Sequence, residues 1–171
     1  MPTNIEIKAK ISKLENFQRT IEKLNVKETS EIFQEDTFFK IPQGRLKLRV
    51  FSADKGELIY YERNNSAGPK RSDYYIYNTS APKTLGRVLE SSLGIRGIVK
   101  KKRLLYLVGN IRIHLDEVET LGSFLEIEVI LNKGQDEISC RAIANEIMEK
   151  LDIKEKDLVD KAYIDLIESS T

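Results

Sequence analysis

Residues 111–131 have the sequence IRIHLDEVETLGSFLEIEVIL, in which polar and apolar side chains alternate on both sides of a short turn. Successive side chains of a β-strand leave opposite faces of the sheet, so a period of two predicts two strands that each have a charged and an apolar face. The apolar faces need packing partners in the folded protein. The charged positions are Arg112, His114, Asp116, Glu126 and Glu128.

The same alternation recurs in three other parts of the chain. A solvated outer face is the usual explanation for one such strand, because antiparallel sheets often face water on one side. For five strands together we favour a closed barrel, in which helices cover the apolar faces from outside and the charged faces surround a lumen. The additional charged rows are Glu6 and Lys8; Arg45, Lys47 and Arg49; and Lys101 and Arg103.

Short turns separate most of the strand-like segments, which is the spacing of antiparallel hairpins. We therefore expect an α+β fold, an eight-stranded closed antiparallel β-barrel with helices packed outside, formed by residues 1–171 as a single domain. The predicted strands are residues 4–11, Ser30–Lys40, Arg45–Phe51, Glu57–Arg63, Ser72–Thr79, Ile95–Leu107, Asn110–Val118 and Phe124–Leu131. The predicted helices are Lys13–Leu24 with Ser12 as its cap, Pro82–Leu93, Glu137–Leu151, and a shorter helix that carries Leu158, Ala162, Leu166 and Ile167.

The hairpin before residue 111 can form with two different turns, which give two registers. A turn at 108–109 pairs Lys101 with Asp116, whereas a turn at 109–110 pairs Arg103 with Asp116. In both registers Lys101 and Arg103 share the charged face of the hairpin. The lysines on either side of Lys101 point to the opposite face, so the basic run is split between the two.

The charge balance of the chain is nearly even, with 28 basic and 27 acidic residues and a net charge of +1. No global field attracts nucleic acid or an anionic membrane, and we expect neither as a partner. Nucleic-acid binding through residues 100–103 is a weaker alternative, because only half of that run shares an outer face.

The single cysteine and the hydropathy of the chain bear on its surroundings. Cys140 cannot form an internal disulfide and lies on a predicted helical stripe, where it is expected to belong to the core. No apolar run approaches the ~20 residues that a membrane-spanning helix needs, and no segment resembles a secretion signal. We therefore expect a soluble protein in a reducing, cytoplasmic or nuclear setting.

Carboxylates and cations on the same charged faces predict a specific chemistry. Glu126 and Glu128, together with Asp116 and Glu6, offer the hard oxygen atoms that Mg²⁺ or Mn²⁺ prefers. Guanidinium and ammonium groups opposite them suit the oxygens of phosphate groups. A polyanion would neutralise the cations and a metal ion would neutralise the carboxylates. The spacing therefore predicts a triphosphate site.

Five motifs in this order resemble the CYTH, or triphosphate tunnel metalloenzyme, superfamily, and within it the group named after class IV adenylyl cyclases. The first is the family signature E-x-E-x-K at residues 4–8, with Asn4 in place of the first glutamate. The others are RLKLR at 45–49, GPKRSDY at 68–74, VKKKR at 99–103 and IHLDEVETLGSFLEIE at 113–128.

The resemblance implies an eight-stranded tunnel that carries out metal-dependent chemistry on triphosphates. Carried over by position, Asp116 looks like a support for basic residues or for a water on the metal. The implied metal ligands for Mg²⁺ or Mn²⁺ are Glu6, Glu126 and Glu128. The implied catalytic residues are Glu6, Lys8, Asp116, Glu126 and Glu128. The implied triphosphate-binding residues are Lys8, Lys47, Arg49, Arg63, Lys70, Lys101 and Arg103, with Lys161 as a further candidate that could equally be a helix-surface lysine.

Two residues in these motifs have roles that the resemblance does not assign. Asn4 is neutral and binds a divalent cation more weakly than a carboxylate does, so a second metal site could be lost and the chemistry slowed. His114 shares the charged face, where it could act as a general base or as a hydrogen-bonding spacer.

The leading hypothesis is a metal-dependent phosphohydrolase that acts on tripolyphosphate or on a nucleoside or other organic triphosphate, such as thiamine triphosphate. The first alternative is an adenylyl cyclase of the class IV type, which converts ATP to cyclic AMP and pyrophosphate. The second is a non-catalytic module that binds polyphosphate or nucleotides, a hypothesis motivated by Asn4. The expected partner is in each case a small molecule that contains a triphosphate, and the oligomeric state is left open.

Overall fold

A computed structural model describes residues 1–171 as eight β-strands and four α-helices. The strands are Thr3–Lys10 (β1), Glu28–Phe39 (β2), Arg45–Ser52 (β3), Lys55–Arg63 (β4), Lys70–Thr79 (β5), Ile95–Val108 (β6), Ile111–Val118 (β7) and Gly122–Ile130 (β8). The helices are Glu15–Glu22 (α1), Pro82–Leu93 (α2), Glu137–Lys150 (α3) and Tyr163–Ser169 (α4), and a 3₁₀ turn at Glu155–Asp157 precedes α4.

The eight strands form one closed barrel in the order β1-β5-β4-β3-β2-β6-β7-β8, and every neighbouring pair is antiparallel. Closure occurs where β8 pairs with β1, so no strand edge is left without a partner. The predicted α+β fold with a closed eight-stranded antiparallel barrel is therefore confirmed.

The hairpin between β6 and β7 adopts the second of the two predicted registers. Val108 pairs with Ile111, so the turn consists of Gly109 and Asn110, and Arg103 lies opposite Asp116. Gly109 has a φ of +59°, a backbone conformation that glycine adopts without the steric cost of a side chain.

The largest hydrophobic core lies outside the barrel, between its wall and the helices. The outward side chains of β1, β7 and β8 are apolar, and α1 and α3 cover them, as the alternation predicted. Cys140 of α3 is fully buried in this core, which agrees with its predicted packing role. No helix of the structure is long and apolar enough to span a membrane. The fully buried side chains of this core are Ile5, Ala9, Ile21, Ile113, Leu115, Leu125, Ile127, Val129, Cys140 and Ala144.

A second, smaller core lies at one end of the barrel, where residues 159–164, named here the plug, pack against it. Tyr163 contacts the ring of Phe124 edge to face, with 5.0 Å between the ring centroids. Ile164 is fully buried beside Gly97, and a Cβ atom on Gly97 would lie 2.5 Å from Ile164 Cδ1. The backbone N–H of Val159 donates to the carbonyl of Lys8, which ties the plug to β1.

Two predicted helix boundaries are wrong. Ser12 does not cap α1, because it lies exposed in a bend. Leu14 immediately precedes the first helical residue; it has helical backbone angles and is buried in the core. Leu158 and Ala162 do not belong to the last helix. Leu158 forms an isolated bridge with Ala9, and Ala162 has extended backbone angles, so the helix begins at Tyr163.

Packing between β8 and the helices makes a large contribution to stability. Ile127→Ala would leave a cavity in this core, so we expect a loss of about 2–5 kcal/mol in the free energy of unfolding. Ile138→Ala is the matched control, since Ile138 is 78% exposed, and its effect should stay within about 0.5 kcal/mol. Urea denaturation of both variants tests this, and similar losses in the two would contradict the assigned core.

Candidate active site

The inward side chains of all eight strands surround a cavity of about 310 Å³ inside the barrel. Most of the charged side chains predicted to share a lumen do so. Two predicted site residues, Lys70 and Asp116, do not line the cavity. The predicted residues that line it are Glu6, Lys8, Lys47, Arg49, Arg63, Lys101, Arg103, Glu126 and Glu128.

One wall of the cavity, named here the cation wall, is a group of cations around a single carboxylate, Asp36 of β2. Its oxygens accept hydrogen bonds from Lys47 Nζ at 3.0 Å and from Arg49 Nε and Nη2, both at 2.8 Å. Lys101 Nζ lies 3.7 Å from the same carboxylate. Asp36 is only 1% exposed, so it fixes the positions of three predicted phosphate-binding residues.

Burial changes the ionisation of this wall. Burial, together with the charges of neighbouring arginines, lowers the pKa of Lys47 to about 8 and that of Lys101 to about 7. Burial also opposes the charge on Asp36, but Arg49, Lys47 and Lys101 outweigh it and hold the pKa of Asp36 well below its ordinary value. The wall therefore has a permanent anion beside two lysines that lose their protons near neutral pH, and an incoming anion would favour the charged forms of both lysines.

The opposite wall, named here the acidic wall, consists of Glu126 and Glu128 of β8 with their neighbours on β1 and β7. Lys8 Nζ lies 3.4 Å from Glu126, and His114 Nδ1 lies 3.7 Å from Glu126 and 3.9 Å from Glu128. Burial opposes the charge on Glu126, but Lys8 and Arg103 hold its pKa well below the ordinary value. Ligand atoms of His114, Glu126 and Glu128 all lie within 4.8 Å of one another, so the three could hold a metal ion.

Glu6, the third predicted metal ligand, lies outside this group. It faces Glu128 across the pair of β1 and β8, but its carboxylate accepts a hydrogen bond from Arg63 Nη1 at 2.5 Å. The Nε and Nη2 atoms of Arg63 are buried without a hydrogen-bond partner. Because buried guanidinium donors are costly to leave unpaired, these two atoms indicate a place for an anion in the cavity.

Asp116 does not line the cavity itself but accepts hydrogen bonds from two residues that do. It accepts two hydrogen bonds of 2.7 Å from Arg103 and one of 2.8 Å from the hydroxyl of Tyr163 in the plug. The ring of Tyr163 in turn lies 3.8 Å from Lys8 Nζ and 5.0 Å from Lys101 Nζ, measured to its centroid. The plug thus contacts cations of both walls, and the supporting role of Asp116 stays a prediction.

Lys70 and Lys161 are both outside the cavity. Lys70 Nζ donates to the carbonyls of Ser66 and Val159 at 3.0 and 3.1 Å, which ties the loop after β4 to the plug. Burial lowers the pKa of Lys70 to about 8. Lys161 is exposed, as expected of a surface lysine.

The end of the cavity away from the plug has an apolar sector. Ile32 and Leu105 line it, and they lie on β2 and β6, which bring Phe38 and Val99 to the plug at the other end. Asn4 also lines the cavity and is buried, and its Oδ1 atom has no hydrogen-bond partner. The apolar side chains of this sector are Ile32, Phe51, Ile59, Ile76 and Leu105.

Two residues of this site, Asp36 and Tyr163, were not predicted from the sequence. Asp36 lies two positions from Gln34 on β2, and both are inward and buried, so the period of two could have revealed it. Nothing local distinguishes Tyr163, which reaches Asp116 because the plug folds back across the barrel end.

Replacing Asp36 with asparagine removes the anion that neutralises the cation wall. We expect Asp36→Asn to lower the free energy of unfolding at pH 7 by about 3–5 kcal/mol, because the cations remain buried without it. The native pKa of Asp36 is depressed, so its contribution is complete above the unfolded-state value of about 4 and declines as pH falls below that.

Urea denaturation between pH 7 and pH 3 measures the difference in the free energy of unfolding between wild type and the Asp36 variant. We expect this difference to become smaller only as the pH falls below about 4. Asp54→Asn is the matched control, because Asp54 is exposed in the turn between β3 and β4. Equal stability of the wild type and the Asp36 variant at pH 7 would contradict the role of Asp36.

The comparisons with known proteins agree with this geometry. A model of the CYTH domain family matches residues 2–163. A Methanocaldococcus jannaschii protein with the provisional name adenylate cyclase is 25% identical over 169 residues, 95% of this chain and 97% of that protein.

Two solved structures share the complete barrel. The PH1012 protein of Pyrococcus horikoshii OT3 has a TM-score of 0.85 at 27% identity, over 95% of this chain and 98% of that one. A conserved hypothetical protein of Pyrococcus furiosus has a TM-score of 0.84 at 26% identity, over 95% and 99%. Because the family model spans nearly the whole chain and the barrel encloses the charged motifs, this protein belongs to the CYTH domain family.

Proposed function

We propose that this protein hydrolyses a triphosphate in its tunnel with the help of Mg²⁺ or Mn²⁺. The observation that carries the proposal is the opposition of two walls in one cavity, with Lys47, Arg49 and Lys101 on one side and Glu126 and Glu128 on the other. CYTH superfamily members act on triphosphates and depend on a metal. In this proposal the cation wall binds the phosphate groups and the acidic wall holds the metal ion.

Phosphate binding falls to the cation wall and to Arg63. Asp36 accepts hydrogen bonds from two nitrogen atoms of Arg49, which fixes the orientation of the guanidinium group before a ligand arrives. Arg63 adds two buried donors that lack a partner. Cations placed in advance stabilise charge on a transferring phosphoryl group without reorganisation, which is the main form of catalysis in phosphoryl transfer.

The acidic wall is where a divalent cation would be held. Glu126 and Glu128 are only partly exposed and have pKa values below the ordinary range, and a cation there would polarise a phosphoryl oxygen and offset its charge. Lys8, 3.4 Å from Glu126, places a positive charge beside the same point. Glu6 does not belong to this group, and its carboxylate accepts a hydrogen bond from Arg63 instead.

Cyclisation of ATP is the second candidate function. The apolar sector at the end away from the plug could receive a nucleoside base, while the triphosphate lies between the two walls. The name of the Methanocaldococcus relative points to the same reaction. The ribose 3′-hydroxyl would replace water as the nucleophile, and the products would be cyclic AMP and pyrophosphate.

Loss of one acidic ligand should stop the chemistry. With Mg²⁺ or Mn²⁺, wild-type protein is expected to release phosphate from tripolyphosphate, ATP or thiamine triphosphate, and Glu126→Gln should reduce the rate at least ~100-fold. Phosphate release and chromatography of the nucleotide products provide the measurement.

Glu119→Gln is the control, because Glu119 is exposed on the turn between β7 and β8 and should leave the rate unchanged. Full activity of the Glu126 variant would overturn the assigned site. Cyclic AMP as the main product would favour the cyclase, and tight binding of tripolyphosphate without turnover would favour the binding module that Asn4 motivated.

Binding of the polyanion should be linked to proton uptake. Lys101, whose pKa is about 7, is mostly neutral at pH 8 in the free protein, and a bound triphosphate would favour its charged form. We therefore expect affinity for tripolyphosphate without metal to fall as pH rises from 7 to 9. Calorimetry in buffers with different ionisation enthalpies measures the protons taken up at pH 8.

The comparison of two neighbouring lysines isolates this effect. Lys101→Gln should take up fewer protons than wild type at pH 8, whereas Lys100→Gln should match wild type, because Lys100 is exposed on the outer face. Equal uptake by wild type and the Lys101 variant would contradict the expected protonation of this lysine on binding.

A further inference from the structure

His114 is a buried imidazole without a hydrogen-bond partner at Nδ1. It is only 4% exposed, lines the cavity and lies between Leu105 of β6 and Glu126 of β8 in the barrel register. Leu105 has no polar side-chain atom to offer, so the carboxylates of β8 are the polar groups that Nδ1 faces. Nδ1 is thus left beside two carboxylates without a hydrogen-bond partner, and the predicted roles of His114 as general base or hydrogen-bonding spacer stay predictions.

The distances from His114 are too long for hydrogen bonds and suit a shared cation. Nδ1 lies 3.7 Å from Glu126 Oε2 and 3.9 Å from Glu128 Oε1, beyond the usual hydrogen-bond range. Two metal–ligand bonds of about 2.1 Å can join donors that are up to ~4.2 Å apart. Both separations therefore allow one ion to contact the imidazole and a carboxylate together.

The residues predicted as the other ligands are less well placed. Glu6 is occupied by Arg63, and position 4 holds a neutral asparagine where the family signature has a glutamate. A site completed from β7 does not depend on either of them. The motif IHLDEVETLGSFLEIE then contributes all three donors from the single hairpin of β7 and β8.

We propose that His114, Glu126 and Glu128 form a nitrogen-containing site for a divalent transition metal ion such as Mn²⁺. This inference rests on the proposed function in that the ion would serve the same triphosphate. An imidazole donor favours first-row transition ions over Mg²⁺, which prefers oxygen ligands. The substitution of nitrogen for oxygen thus makes the protein selective for Mn²⁺ over Mg²⁺.

Pulsed electron paramagnetic resonance of bound Mn²⁺ tests the nitrogen ligand directly. His114 is the only histidine of the chain, so in protein without an affinity tag any imidazole ¹⁴N modulation must come from it. The experiment adds less than one equivalent of Mn²⁺ to concentrated wild-type protein. Imidazole modulation supports the proposal. Its absence overturns the proposal, whether Mn²⁺ binds through carboxylates alone or a protonated His114 only pairs with them.

Metal affinities of matched variants provide a second readout. His114→Gln should weaken Mn²⁺ binding at least ~10-fold and Mg²⁺ binding less than ~3-fold, because only the former gains from nitrogen. Glu128→Gln should weaken both ions, and Glu119→Gln should weaken neither. Equal losses of Mn²⁺ and Mg²⁺ affinity in the His114 variant would contradict the proposed selectivity.

Failure of this inference is distinguishable from failure of the proposed function. Mn²⁺-dependent release of phosphate without imidazole modulation would reject the nitrogen ligand and keep the hydrolase. Imidazole modulation in a protein that releases no phosphate from any triphosphate would keep the nitrogen ligand and reject the hydrolase.

Discussion

Charge buried inside the barrel is the constraint on which the rest of the structure depends. A carboxylate or ammonium group removed from water is unstable unless an opposite charge or a hydrogen bond compensates it. Asp36 and Asp116, both almost fully buried, provide this compensation for Lys47, Arg49 and Arg103. Their positions stabilise a lumen that is lined by charges of both signs before any ligand enters.

Compensation is incomplete where the proposed chemistry occurs. Two donors of Arg63, the Oδ1 of Asn4 and the Nδ1 of His114 are buried without hydrogen-bond partners. Hydrogen-bond donors of a cation and neutral polar atoms therefore remain available in one cavity, which suits a ligand that combines phosphate oxygens with a metal ion. The paired residues hold the walls in place, and the unpaired ones provide the contacts that a ligand can use.

The plug connects the fold to the site. Residues 159–164 close one end of the barrel, and Tyr163 joins Asp116 to the cations Lys8 and Lys101.

The barrel and nine of the residues that line its cavity were predictable from the sequence, because strand alternation depends only on local spacing. Tyr163 was not predicted, because its partner lies 47 positions away in the chain.

The sequence by itself determined which side chains share a face, and hence that a row of acids and rows of bases would enter one lumen. Only the tertiary structure decided which of them pair: that Arg63 holds Glu6, that Asp36 holds the cation wall, that Lys70 lies outside the cavity and that His114 faces Glu126 and Glu128. The period of two within a strand is a local property. Pairing across the lumen depends on barrel closure, which brings distant strands within reach of one another.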